Sequence, residues 1–217
     1  MDKEFKRTIN QKKIDSRKLY RFTKRIFDII MSAVALIILA IFFLIIAILI
    51  HLEDHGPAFY SQTRVGRKGK LFKIYKFRSM SEDADEKLAE LKKYNEVNGL
   101  MFKMKDDPRI TRMGKFLRKT SIDELPQLLN VLKGDMSLVG PRPPLLSEYK
   151  HYSDYDKQRL YVMPGCTGLW QATVRNNVGF EEMVKIDLDY INRQSAWLDL
   201  KIMFLTLKIM IFPNGAY

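Results

Sequence analysis

The sequence predicts an α+β chain, mostly helical: a membrane-anchored monotopic domain with a re-entrant N-terminal helix, a small β-hairpin and interfacial amphipathic helices. Three observations carry this. The run from Ile29 to Ile50, about 22 residues without a charge, is long enough to cross the hydrocarbon of a bilayer. Between Ala58 and Arg78, two segments of apolar residues flank the turn Gly66-Arg-Lys-Gly69, the second alternating with basic residues, as in a hairpin. Much of the remainder places apolar residues at helical spacing. At 217 residues the chain suits one compact domain with an appendage. Residues 1–21 read as a basic arm, 22–56 as the membrane helix and 57–217 as a cytoplasmic domain.

A net charge of +12 and a pI near 9.6 call for an anionic partner: nucleic acid, anionic lipid or a phosphorylated substrate. Nucleic acid is disfavoured, because the basic residues are spread around apolar interfacial segments and not gathered on one aromatic-interleaved face. Cys166 is the single cysteine, which excludes an intramolecular disulfide and fits a reducing compartment. Inside Pro164-Gly-Cys-Thr-Gly168 it reads as a small packed residue, since no histidine lies near it in sequence. His51, His55 and His151 lack metal-ligand spacing.

Taken in order, the arm carries Lys3, Lys6, Arg7, Lys12, Lys13, Arg17, Lys18 and Arg21 with few apolar residues, so it is expected to be solvated or lipid-facing. Lys24 and Arg25 precede the apolar run, and Arg64, Arg67, Lys68, Lys70, Lys73, Lys76 and Arg78 follow it. Both flanks are therefore expected on the cytoplasmic side, which an entering and returning helix satisfies and a crossing one does not. Gly56-Pro57 ends that segment, and the hairpin follows with a cationic edge. Residues 81–95 read as a capped amphipathic helix with Ala84, Leu88 and Leu91 on one side.

The stretch from Arg118 to Pro143 organises the chain. Leu125, Leu128, Leu129 and Leu132 have helical spacing, and Gly134 after Lys133 stops the run. Pro126 is tolerated only in a first turn, so the helix is expected to start near Asp123, not at Ser121. Asp123 and Glu124 then sit where free backbone N–H groups favour negative charge, and both should be ionised at neutral pH. An ionised Asp can attack phosphorus, and a neighbouring Glu can hold a divalent cation. For an isolated Asp-Glu pair an ordinary acidic first turn is the better explanation, and it is the surrounding residues that shift the balance. Arginines beside a nucleophilic Asp suit a bidentate hold on a pyrophosphate, and Arg118 is the best placed of those approaching it. Gly140-Pro-Arg142-Pro143 makes a rigid turn presenting one guanidinium, and Pro164-Gly165 with Gly168-Leu-Trp170-Gln171 makes a second turn; Arg175 follows in a polar loop. The last third, from about Phe180 to Phe212, reads as one core helix and one interfacial helix too interrupted to span.

Lys76-Phe-Arg-Ser-Met80, Asp107-Pro-Arg-Ile-Thr111, Gly114 to Arg118, Asp123-Glu-Leu-Pro-Gln-Leu128, Lys133-Gly-Asp-Met-Ser137, Gly140-Pro-Arg-Pro143 and Pro164-Gly-Cys-Thr-Gly-Leu-Trp-Gln171 occur in that order. Together they resemble the bacterial sugar transferases, the monotopic polyprenyl-phosphate phosphoglycosyl transferases, over roughly residues 20–217. The resemblance implies an enzyme that moves a sugar 1-phosphate from a UDP-sugar to undecaprenyl phosphate, at the cytoplasmic face of the bacterial inner membrane, as a first step of polysaccharide synthesis. It implies Asp123 as nucleophile, Glu124 as ligand of Mg2+, and Lys76, Arg78, Arg118 and Arg142 as binders of substrate phosphate, with Arg175 a weaker contact to nucleotide or sugar. The ending Asn214-Gly-Ala-Tyr217 and the segment 107–111 resemble members using UDP-glucose or UDP-galactose. Members bend the re-entrant helix at a Ser-Pro pair; this chain has Ala40-Ile41 there. A membrane-anchored scaffold that binds anionic lipid without catalysis explains the arm and anchor equally well, but not an Asp-Glu pair amid arginines.

Overall fold

In a computed structural model of the chain, residues 8–95, 104, 106–174 and 178–211 are described. The fold is mostly helical with a two-stranded hairpin, as expected, and adds a short parallel strand pair.

The described part of the basic arm, residues 8–21, is a correction. Helix α1 (Gln11–Ser16) is capped by Asn10, whose side chain accepts from Lys13 N, and Ile9 and Ile14 are buried among Val139, Val184 and Ile191. Ile9 and Ile14 tie the described part of the segment to the core, Arg17 donates to the carbonyls of Asn192 and Gln194, and Lys12 and Lys13 are exposed.

Helix α2 (Lys18–Asp54) runs 37 residues, about 55 Å, without a break. Its buried residues Asp28, Ser32, Ile46 and Ile50 lie on one line, because Asp28 and Ile46 are separated by about five whole turns and each is followed by a buried residue four positions on. That line is fastened to the domain at both ends. Near the start, Asp28 accepts from Ser137 Oγ at 2.7 Å and from Leu138 N at 3.2 Å, and Arg25 donates to the carbonyls of Val131 and Leu132. Near the end, Ile46 and Ile50 pack on Phe77 and Leu117, Glu53 accepts from Arg112 N at 2.8 Å, and Asp54 pairs with Arg78. The other faces are apolar and open: Ile37, Ile38 and Ile41 are each more than 70% exposed. By length and composition α2 could cross a membrane.

The hairpin matches the sequence reading closely. Strand β1 (Phe59–Val65) pairs antiparallel with β2 (Leu71–Phe77), Tyr60 opposite Lys76, across a 3₁₀ turn at Arg67–Gly69 in which Lys68 and Gly69 have positive φ. Alternation along β2 sets two destinations. Phe72 and Ile74 face Val131 and Met136, and Lys76 continues that face; Phe77 turns the opposite way, to α2. The helix expected over 81–95 is shorter: α3 (Ala84–Leu91) and then a 3₁₀ turn at Lys92–Tyr94.

Helix α4 (Arg112–Thr120) is capped by Thr111 and ends at Ser121, in the left-handed region at φ 58°. A 3₁₀ turn (Ile122–Glu124) holds the two carboxylates, Pro126 caps the next helix, and α5 runs from Gln127 to Lys133, closed by Gly134 at φ 88°. The α-helix thus starts later than Asp123: Pro126 occupies the position its ring allows, and the acidic pair is left in the tighter turn before it. Asn130 locks α5 to the hairpin, its side chain donating to Lys73 O and accepting from Tyr75 N as a neighbouring strand would.

Strand β3 (Ser137–Val139) pairs in parallel with β4 (Gly165–Thr167), where a turn was expected. The strands come so close at Gly140 and Gly165 that a Cβ on either would overlap the other's backbone, so both must be glycine. Single turns α6 (Leu146–Tyr149) and α7 (Asp154–Lys157) cross the surface between them. Helices α8 (Leu169–Thr173), α9 (Phe180–Arg193) and α10 (Ala196–Ile211) complete the fold, α9 as the core helix expected and α10 as a helix where an interfacial one was expected. Val184, Leu188, Ile191 and Ile202 form the main core, while Trp197, Phe204, Leu207 and Ile211 of α10 remain exposed.

Candidate active site

Three elements bring the charged residues together. β2 delivers Lys76, the 3₁₀ turn delivers Asp123 and Glu124, and the Gly140–Pro143 loop delivers Arg142. Lys76 Nζ lies 2.5 Å from Glu124 Oε1 and 3.9 Å from Asp123 Oδ2; Arg142 Nη1 lies 3.5 Å from the same Glu124 oxygen. Arg118, in the last turn of α4, donates from Nε to Ser79 Oγ at 3.1 Å.

The two carboxylates are driven apart electrostatically. Burial is the largest influence on each. For Asp123 it prevails, assisted by the charge of Glu124 and resisted by Lys76, Arg118 and Arg142, so its pKa rises to about 6. For Glu124 the burial is outweighed by Lys76 and Arg142, and its pKa falls. Both are mainly ionised at neutral pH, as expected, but the cause differs. The N–H groups of Glu124 and Leu125 are already bonded to the carbonyls of Ser121 and Ile122, so side-chain cations and not free backbone amides hold the charge. Burial pushes the Cys166 thiol well up, in keeping with a packed and unreactive residue.

Asp123, Lys76, Arg118 and Arg142 form the common wall of two cavities. One, about 300 Å³, is completed by Glu124, Cys166, Thr167, Trp170, Gln171, Thr206, Ile209 and Met210. The other, about 440 Å³, opens toward the hairpin past Tyr60, Gln62, Arg64, Arg78, Ser79 and Glu82. A larger cavity of about 590 Å³ lies behind β3 at the foot of α2, away from the carboxylates.

Of the residues expected to bind phosphate, Lys76, Arg118 and Arg142 converge on Asp123. Arg78 reaches the second cavity but commits its guanidinium to Asp54 and to the carbonyl of Pro57, so it fastens the end of α2. Arg175 and the ending 214–217 lie outside the described residues.

Other residues position the site and were not singled out from sequence. Asn130 sets β2 over the 3₁₀ turn. Arg159, buried and paired with Asp187 at 2.7 Å, donates to the carbonyl of Arg142 at 3.2 Å and so holds that loop. Buried Arg64 donates to Pro143 O; burial, and then the charge of Arg142, lower its pKa to about 10, a sign of crowded cations. A lone Asn, Arg or Asp has no pattern in sequence; the fold supplies its partner.

Among the described residues no three His, Cys, Asp or Glu side chains gather as a metal cage. Mg2+ is commonly held by one or two carboxylates, with substrate phosphates and water filling its other positions. An adjacent Asp-Glu pair on a cavity wall fits that chemistry.

Residues 19–213 match the family described as bacterial sugar transferase. The chain is 52% identical over 206 residues to the galactosyl transferase CpsE of Streptococcus agalactiae serotype III, covering 93% of this chain and 46% of that protein. It is 46% identical over 211 residues to the undecaprenyl-phosphate galactose phosphotransferase of Salmonella typhimurium, covering 93% and 43%. With the exopolysaccharide production protein ExoY of Rhizobium meliloti it shares 40% over 205 residues, covering 93% and 91%. The chain thus spans about half the length of the first two relatives and nearly all of the third.

Proposed function

The chain belongs to the bacterial sugar transferase family, and from that membership we propose that it transfers a hexose 1-phosphate from a UDP-sugar to undecaprenyl phosphate through an aspartyl intermediate. An oxygen of Asp123 attacks the sugar-bearing phosphorus, and the bond from that phosphorus to the bridging oxygen breaks, its electron pair leaving with UMP. An oxygen of the lipid phosphate then attacks the same phosphorus. The bond to Asp123 breaks, the carboxylate is restored and the sugar leaves on a lipid diphosphate. Lys76, Arg118 and Arg142 hold the transferring phosphate and its developing charge. Mg2+, when held by Glu124, would neutralise phosphate oxygens.

The observation that carries this reading is the unequal pair: Glu124 held through Oε1 by Lys76 and Arg142, and Asp123 beside it, less compensated, on the wall that both cavities share. A lipid-binding scaffold has no use for that arrangement. Galactose is the sugar suggested by the names of the first two relatives.

The same reading places the chain on the cytoplasmic face of the inner membrane as a monotopic protein. What supports it is the fastening of both ends of α2 to one polar domain, together with basic flanks on both sides. An α2 with no break would lie along the domain with its apolar faces in lipid, instead of entering and turning back at residues 40–41.

Incubation with UDP-galactose or UDP-glucose and Mg2+, without lipid, should release UMP and leave one phosphosugar on the protein; Asp123→Asn should do neither. Steady turnover by Asp123→Asn removes the nucleophile assignment. Absence of UMP release from every UDP-sugar tested removes the activity.

A further inference from the structure

The two cavities that meet at Asp123 differ in a way that the chemistry can use. Apart from the shared Lys76, Arg118 and Arg142, the cavity along α8 and α10 has no cation among its described lining residues; its own charge is Glu124. The hairpin-side cavity adds Arg64, together with Arg78, already paired with Asp54, and Glu82. Two consecutive residues that line the first, Trp170 and Gln171, also carry hydrogen-bonding atoms, Nε1 and Oε1, that are buried with no partner among the described residues. A buried N–H or carbonyl left unpaired is destabilising unless a ligand or water completes it.

Resting on the transferase reading above, we propose that the α8–α10 cavity is the sugar pocket, in which Trp170 donates to, and Gln171 accepts from, hydroxyls of the transferred sugar. The hairpin-side cavity is an exchange chamber that holds the nucleoside monophosphate and then the lipid phosphate. The division follows from in-line displacement. In the first step the leaving UMP oxygen lies opposite the Asp123 oxygen across phosphorus, and in the second the attacking lipid oxygen must occupy that same side. The sugar stays on phosphorus throughout, so it needs a place of its own. A neutral polyhydroxyl suits the cavity whose own charge is Glu124; two successive phosphates suit the one to which Arg64 adds a guanidinium. The exchange chamber is also lined by Pro57 and Phe59, directly after α2, the side from which a lipid phosphate would arrive.

The test uses the full chain in nanodiscs with the preferred UDP-hexose and its monodeoxy analogues, measuring UMP release. The wild type should prefer the parent sugar over at least one deoxy analogue by about tenfold or more, and Trp170→Phe or Gln171→Met should collapse that ratio. Stabilisation of the same variants by UMP, read as a thermal shift, should persist. Tyr60→Phe, in the exchange chamber, should weaken UMP inhibition and leave the sugar ratio as it was. An unchanged ratio in both α8 variants overturns the proposal while the transferase reading stands, as does loss of UMP stabilisation. UMP inhibition that is not competitive with the lipid phosphate overturns the shared chamber. A wild type that releases no UMP removes the transferase reading itself.

Discussion

Lys76 Nζ sits 2.5 Å from Glu124 Oε1 and 3.9 Å from Asp123 Oδ2, so one ammonium is shared unequally between adjacent carboxylates. Attack requires ionised Asp123, whose pKa lies near 6. The rate should therefore rise with pH through about 6, well above the range of an ordinary aspartate. Lys76→Met removes the largest influence that lowers this pKa, so the acid limb should move to higher pH while the maximal rate falls. A pH–rate profile of UMP release measures both, and a limb that stays in place contradicts the electrostatic assignment.

The same shift has a stability consequence of defined sign. A carboxylate whose pKa is higher folded than unfolded binds protons more tightly in the native state, so it favours folding below about 4 and opposes it increasingly as pH rises through 6. Asp123→Asn removes that opposition. The variant should be more stable than the wild type above pH 6, and the difference should shrink toward pH 4. Denaturant melts at the two pH values test this.

Arg159 and Asp187 are each almost fully buried and bonded to each other, and Arg159 also holds the Arg142 carbonyl. Arg159→Met strands a buried carboxylate, a loss of about 3–5 kcal/mol. Restoring neutrality with Asp187→Asn in the same chain should recover part of the stability but not the hold on Arg142. The double variant should thus fold better than Arg159→Met and still show a raised KM for donor. Full recovery of KM would leave Arg159 with a structural part alone.

Gly114 lies where α4 touches the Ser79 carbonyl, with no room for a Cβ. Gly114→Ala must push α4 away, and with it the Arg118–Ser79 contact. The expected result is a drop in kcat/KM of about tenfold or more with the chain still folded by circular dichroism. Activity within twofold of wild type would mean that Arg118 is not held by this contact.

Because both ends of α2 are fastened to one domain, cysteines introduced near residue 12 and near residue 68 in a Cys166→Ala background should react from the same side of the membrane. Labelling of residue 12 by an impermeant reagent outside intact cells, with residue 68 protected, would show a crossing helix.

Local patterns were legible from the chain itself. The hairpin was readable because alternation over Leu71–Phe77 and the Gly66–Gly69 turn are properties of neighbouring residues; the long apolar helix, α9 and α10 were readable for the same reason. The ordered motifs carried Asp123, Glu124, Lys76, Arg118 and Arg142 through the family they resemble. What needed the tertiary structure depends on residues distant in sequence. Ile9 and Ile14 become an anchor only because α9 and β3 offer them a core. Arg78 turned from phosphate to Asp54 because α2 ends beside it, and Asn130 and Arg159 gained positioning roles from strand and loop carbonyls that no spacing rule connects to them. Sequence alone established which charges the protein owns and that the hairpin, α2, α9 and α10 form, since these follow from local sterics and periodicity. Only folding decided how burial and cation contacts divide between Asp123 and Glu124, because an electric field sums over every charge nearby in space.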